Sequence, residues 1–291
     1  LCGGRKESEG MTPKYSLVHL TAADCPPPDF IRLAAKAGFD CVSLRSIPTR
    51  MHREEKSVGE NITGKMPFAL SENPALLRET RRAAKTEGIE IHDTENARIF
   101  DGVNVQDYEK DLEAAAELGI HHILTNIWTE DAMFYEDAFG RLCDLGAQYD
   151  LSVNLEFVTW SGVKDLNAAS ELLRRVNRPN QGIVLDTLHF YRSGNTVKDL
   201  EGLPKEWFRY VHLCDCPAEI PMEREELIRT GLEERMIPGS GAVDMRAILK
   251  QIPHVVRGIE IPNRRMTEQM GMEAYLTKAL ADTKKYLDDS E

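Results

Sequence analysis

Four residues interrupt apolar runs where a charge has no water to lean on. Glu156 lies in Val153-Asn154-Leu155-Glu156-Phe157, Asp186 in Ile183-Val184-Leu185-Asp186-Thr187, His212 in Tyr210-Val211-His212-Leu213, and Glu260 in Gly258-Ile259-Glu260-Ile261. Burying a lone carboxylate costs several kcal/mol unless it is paired or ligates a metal. Three acids and one imidazole converging from successive strands would repel one another without a cation between them. A divalent ion removes that conflict. The set offers hard oxygen and borderline nitrogen, which suits Mn²⁺, Co²⁺, Zn²⁺, Fe²⁺ or Mg²⁺ and disfavours soft metals. Any one of these residues alone reads equally well as a buried structural polar group.

Short β-rich runs must carry these residues. Eight strands are expected, at Tyr15–Leu20, Cys41–Leu44, Ile89–His92, His122–Leu124, Val153–Phe157, Ile183–Leu185, Tyr210–Leu213 and Gly258–Ile261. Between them run patterns of helical period. The clearest helix is Pro74–Glu87, with Asn73 to cap it, Pro74 at its first position and Gly88 just past its end. Others are Phe30–Ala37, Val105–Leu118, Glu136–Tyr149, Leu166–Val176, Ala242–Gln251 and Met272–Tyr286.

Strands regularly separated by helices give parallel βαβ units, and eight of them close into an α/β fold, a single (β/α)₈ barrel. The turn after the first strand, Thr21-Ala22-Ala23-Asp24, lacks the glycines of a dinucleotide-binding sheet. Two connections are long, Arg45 to Glu72 after the second strand and Cys214 to Pro238 after the seventh. Both belong to the C-terminal mouth, where barrel sites are built. They read as a lid or specificity loop, or as decoration and oligomer contact.

The chain's 291 residues fit one barrel, placed at residues 14–291, after a tail at residues 1–13. The formal charge of −12 works against binding a phosphate backbone, so no nucleic-acid partner is expected. No apolar run reaches the ~18 residues of a membrane span. Six scattered cysteines read as reduced thiols, and the Cys214-x-Cys216 pair lacks a second pair for structural zinc. The expectation is a cytoplasmic enzyme; the Leu1-Cys2 start leaves an exported or lipid-anchored form open.

The residues also carry a resemblance. Glu156, the run Leu185-Asp186-Thr187-Leu188-His189, the run Val211-His212-Leu213-Cys214-Asp215, the run Pro238-Gly239-Ser240-Gly241-Ala242-Val243-Asp244, and Glu260 occur together in order. Over residues 14–288 the sequence resembles the sugar phosphate isomerase/epimerase group with a xylose isomerase-like TIM barrel. That group includes ketose 3-epimerases, hydroxypyruvate isomerase and inosose-metabolising enzymes. The resemblance implies that Glu156, Asp186, His212 and Glu260 hold one divalent metal ion. It implies that Glu156 and Glu260 exchange a substrate proton across an enediolate held on that ion. It further places His189 on substrate oxygens and Arg235 near the reacting oxygen.

Trp160 and Tyr191 follow metal-bearing strands and could stack on a sugar face, or simply pack in loops. His19, Arg45, His92, Glu95 and Asn126 lie near early strand ends with no subfamily signature. Arg45, Arg50, Arg53 and Lys56 surround the extra loop, facing either an anionic substrate or solvent. Without a following Lys, Gly239-Ser240-Gly241 is not a nucleotide loop.

The reading is a metal-dependent isomerase or epimerase of a sugar, sugar phosphate or keto acid, with a small carbohydrate as partner. A lyase or dehydratase on a keto-sugar or inosose would use the same residues. An abasic-site endonuclease on this barrel needs more histidines than the 8 present, and a non-catalytic sugar binder would have little use for both glutamates. Barrels of the group are often dimers or tetramers, so a homo-oligomer is among the forms implied.

Overall fold

β-branched and aliphatic residues at alternate positions build eight short strands, and the computed structural model closes them into one barrel. It describes residues 13–48, 68–252 and 254–288. The strands are β1 (Tyr15–Val18), β2 (Cys41–Arg45), β3 (Glu90–Glu95), β4 (His122–Thr125), β5 (Ser152–Glu156), β6 (Gln181–Asp186), β7 (Phe208–Leu213) and β8 (Val256–Ile259). Each pairs in parallel with the next, and β8 returns to β1. Closure leaves no strand edge unpaired. The expected fold, a single (β/α)₈ TIM barrel, is the one observed.

Helices α1 (Pro27–Ala37), α2 (Pro74–Glu87), α3 (Glu109–Glu117), α4 (Ala132–Ala147), α5 (Leu166–Val176), α6 (Thr187–Arg192), α7 (Arg224–Glu233), α8 (Met245–Gln251), α9 (Arg264–Met270) and α10 (Met272–Asp288) surround it. The α2 ends form as their residues dictate. Asn73 accepts from the Leu76 N–H at 3.1 Å, and Gly88 closes the helix in the left-handed region at φ 69°. Among the described residues no helix is long and apolar enough to cross a membrane.

Several elements differ from expectation. β3 runs on past the expected end at His92 to Glu95, because its second half, Asp93-Thr94-Glu95, is too polar to read as a strand. The long connection after β7 contains α7, and that after β8 contains α9. Helix α3 begins later than expected, since Val105–Tyr108 winds as a 3₁₀ turn ahead of it. The insertion after β2 lies largely outside the described residues, Arg50, Arg53 and Lys56 with it.

Outward strand faces join the main core under the helices. The inner lining is thinner. Leu124, Val184 and Tyr210, with half-buried Val256, form a separate apolar cluster below the mouth. Polar pairs occupy the rest: Ser43 donates to Asp93 at 2.5 Å, and Ser152 lies 2.6 Å from His122. Strand register brings the site together, with Asp186 opposite His212 on β6 and β7. The Glu260 N–H bonds to the Leu213 carbonyl at 3.1 Å, setting Glu260 at the same level just beyond β8.

Candidate metal centre

One ligand atom from each of Glu156, Asp186, His212 and Glu260 lies within 4.8 Å of all the others. All four side chains are buried. His212 Nδ1 stands 3.6 Å from Glu156 Oε1 and 3.5 Å from Glu260 Oε2, ion-pair distances too long for hydrogen bonds.

The chain orients these carboxylates by holding the oxygens that point away. Asp186 caps α6: its Oδ1 accepts from the Leu188 and His189 N–H groups at 2.8 and 3.0 Å, which leaves Oδ2 facing inward. Glu156 Oε2 accepts from Asn126 Nδ2 at 3.1 Å, leaving Oε1 free. The Asn126 amide is itself fixed, since its oxygen accepts from Asn96 Nδ2 at 2.8 Å and Trp128 Nε1 at 2.7 Å. Such outer partners set ligand direction at metal sites.

Arg235 enters from the connection after β7. Its Nη1 lies 2.5 Å from Asp186 Oδ2 and 2.7 Å from Glu260 Oε2, and its Nε donates to the Gly231 carbonyl at 2.7 Å. Cys214 Sγ is 3.3 Å from the same Nη1. Burial works to raise Glu260, but the charges of Arg235 and His212 overcome it and hold the carboxyl well below the usual range. Burial keeps Glu156 raised. The two glutamates are thus pushed apart, as suits a pair with opposite protonation.

His189 sits beside this centre. Burial lowers it to about 4, so the ring is neutral. The Thr159 N–H lies 3.4 Å from Nδ1, which makes Nδ1 the acceptor and Nε2 the donor. Trp160 stands edge-on behind the ring at 4.8 Å between centroids. Its far side packs on Gly231 of α7, where an added Cβ would lie 2.6 Å from the indole.

The donor set fits a divalent ion. Three carboxylates and an imidazole converge, and neither His212 nitrogen has a hydrogen-bond partner among the described residues. A buried polar atom without a partner is costly, and a ligand relieves it.

A family model described as "Xylose isomerase-like TIM barrel" matches residues 31–281. The chain belongs to this family. It is 26% identical to inosose isomerase of Bacillus subtilis (strain 168) over 161 residues, 52% of this chain and 56% of that one. It is 26% identical to 3-dehydroshikimate dehydratase of Pseudomonas aeruginosa over 217 residues, 70% of this chain and 33% of that protein. The chain therefore spans little more than half, or less, of these relatives. Among solved structures, IOLI protein with a bound zinc atom superposes with a TM-score of 0.73 at 18% identity, covering 96% of this chain and 99% of that one. The 3-keto-D-glucoside 4-epimerase YcjR from E. coli gives 0.68 at 16%, covering 94% and 100%. Those structures share the fold.

Within this xylose isomerase-like barrel the structure gathers Glu156, Asp186, His212, Glu260, His189 and Arg235 at one mouth. Trp160 forms the wall behind His189 and is 8% exposed. Tyr191 lies away from the centre, its hydroxyl on the Ala218 carbonyl at 3.1 Å. The glycine run serves structure: Asp215 accepts from the Gly239, Gly241, Cys216 and Val243 N–H groups, wrapping the loop around one carboxylate. Sequence reasoning missed what Asn126 does, because an amide near a strand end carries no burial penalty to draw attention.

Proposed function

We propose that this chain is a divalent-metal-dependent isomerase or epimerase acting on a small carbohydrate or cyclic polyol ketone. The observation that carries this reading is the four-residue cluster with Glu156 and Glu260 on separate strand ends. Glu156, Asp186, His212 and Glu260 would hold the ion; when bound it polarises a carbonyl and the hydroxyl beside it, lowering the cost of removing the intervening C–H proton. One glutamate takes that proton as base, and the other returns one as acid, their roles exchanging in the reverse direction. His189, a neutral donor through Nε2, orients a substrate oxygen. Arg235 keeps Glu260 ionised.

The similarity to a 3-dehydroshikimate dehydratase over 70% of this chain supports a second reading. The same proton removal, followed by loss of a β-hydroxyl, gives elimination. Incubating the Mn²⁺-loaded protein with ketohexoses and inososes in D₂O separates the two. Deuterium entry beside the carbonyl without water loss supports isomerisation, and an enone absorbance supports elimination. Glu156→Gln and Glu260→Gln should each abolish turnover with the fold intact; an active Glu260→Gln protein contradicts the two-carboxylate scheme.

A further inference from the structure

The candidate metal ligands stand on or just beyond β5, β6, β7 and β8, and among the described residues the other half of the mouth supplies none. In a closed eight-strand barrel β3 lies four strands from β7, on the wall facing His212. Its last residue is Glu95, a carboxylate 4% exposed. The backbone there is pinned, since the Glu95 carbonyl accepts from the Ser46 and Ile47 N–H groups at 3.1 and 3.2 Å.

Among the described residues the side chain is held less firmly. Glu95 Oε2 is 3.9 Å from Arg45 Nη1, too far for a hydrogen bond, and Oε1 is buried without a hydrogen-bond partner among the described residues. A carboxylate oxygen kept dry and unpartnered is costly in a folded chain, and it marks a place where a ligand completes the bonding. The charged groups acting on Glu95 are Arg45 on β2, Glu260 just beyond β8, Glu156 two strands away on β5, and His212 on the facing β7. A substrate lying against the metal ligands would present its other side to this wall.

A carboxyl at this place suits a step that the other two glutamates leave undone. Shifting a carbonyl to the adjacent carbon moves two protons, one between carbons and one between oxygens. Inverting a single carbon removes a proton and returns one to the same carbon, with no transfer between oxygens. We propose that Glu95 is a catalytic residue that touches the two substrate oxygens and carries the proton between them. The proposal rests on the isomerase reading and sharpens it: the substrate is a ketone with an adjacent hydroxyl whose carbonyl changes place.

The step balances. A site glutamate first takes the C–H proton, leaving the enediolate; the Glu95 O–H bond then breaks and its proton goes to the former carbonyl oxygen, giving the enediol. The neighbouring O–H bond then breaks toward the Glu95 carboxylate while the new C=O forms and the carbon proton is returned. No electron, proton or co-reactant is gained or lost. In the metal-free chain burial, opposed by Arg45, pushes the Glu95 carboxyl up to about 7.

The test uses the whole metal-loaded protein with inososes and ketohexoses as probes in D₂O, followed by proton NMR. That readout reports deuterium entry beside the carbonyl separately from appearance of the shifted ketone. In Glu95→Gln, carbonyl shift should fall by about 100-fold or more while carbon exchange stays within about threefold. Metal content and the circular dichroism spectrum should match the parent. Loss of both signals together, or of neither, overturns the role of Glu95. So does a parent protein that exchanges and inverts carbon but never shifts the carbonyl, a result that leaves the metal-dependent reading standing. A parent protein that exchanges no proton on any probe overturns the isomerase reading and the proposal with it. Should Glu95→Gln fail to fold, Glu95→Asp, which withdraws the carboxyl by one methylene, is read by the same two signals.

Discussion

The side-chain amide of Asn126 donates to Glu156 Oε2 at 3.1 Å, and the amide cannot flip because its oxygen already serves Asn96 and Trp128. The carboxylate that faces His212 is therefore aimed by a residue one strand away. Asn126→Ala should weaken divalent-metal affinity about 10- to 100-fold, the range seen when outer-shell partners of metal ligands are removed. Competition with a chelating dye measures this directly, with circular dichroism to check the fold. An unchanged affinity would show that Glu156 needs no such support.

Among the described residues Arg235 supplies the one permanent positive charge bonded to the cluster, through Asp186 and Glu260. Replacing it with Met leaves two buried carboxylates without their counter-charge. Breaking a buried pair in this way costs about 3–5 kcal/mol. The loss should be large in metal-free protein and smaller with excess Zn²⁺ or Mn²⁺, because a divalent ion offsets the same carboxylates. Melting temperatures of Arg235→Met and parent, with chelator and with metal, decide it. An equal deficit under both conditions would assign Arg235 to packing alone.

The late half of the barrel was legible because each of its charges breaks an apolar run. Glu156, Asp186 and Glu260 each stand at or just past the end of a buried strand, and only a shared task explains them together. The early half hides its chemistry. In β3 the residues His92, Asp93, Thr94 and Glu95 follow one another, so neither alternation nor an apolar run marks the strand. Its expected end at His92 falls short of Glu95, which then reads as loop. The register irregularity between Val42 and Ser43 on the neighbouring strand shows where this polar stretch departs from regular pairing. Arg235 entered the reading only through the family resemblance. Its bonds to Asp186 and Glu260 were not legible, because α7 and the turn that follows it decide where the side chain points.

Burial gives stability a pH dependence with two opposing signs. His19 and His189 are lowered to about 4 by burial, from an ordinary value of 6.5. Below pH 6.5 the unfolded chain takes up protons that the folded chain refuses. Stability present above pH 6.5 is therefore lost as pH falls toward 4, with a slope of up to about 3 kcal/mol per pH unit for the two rings. Glu95 acts the other way. Raised from 4.5 to about 7, it keeps its proton in the folded chain while the unfolded chain releases it, so stability falls as pH rises through that window. Glu95→Gln removes this second contribution. Relative to the parent, the variant should gain on the order of 3 kcal/mol between pH 4.5 and pH 8, from a shift of this size in one group. Urea unfolding of the metal-free proteins at the two pH values measures the difference. A gap that stays constant between them would show that Glu95 does not change its protonation there, and would leave the histidine slope to be judged on its own.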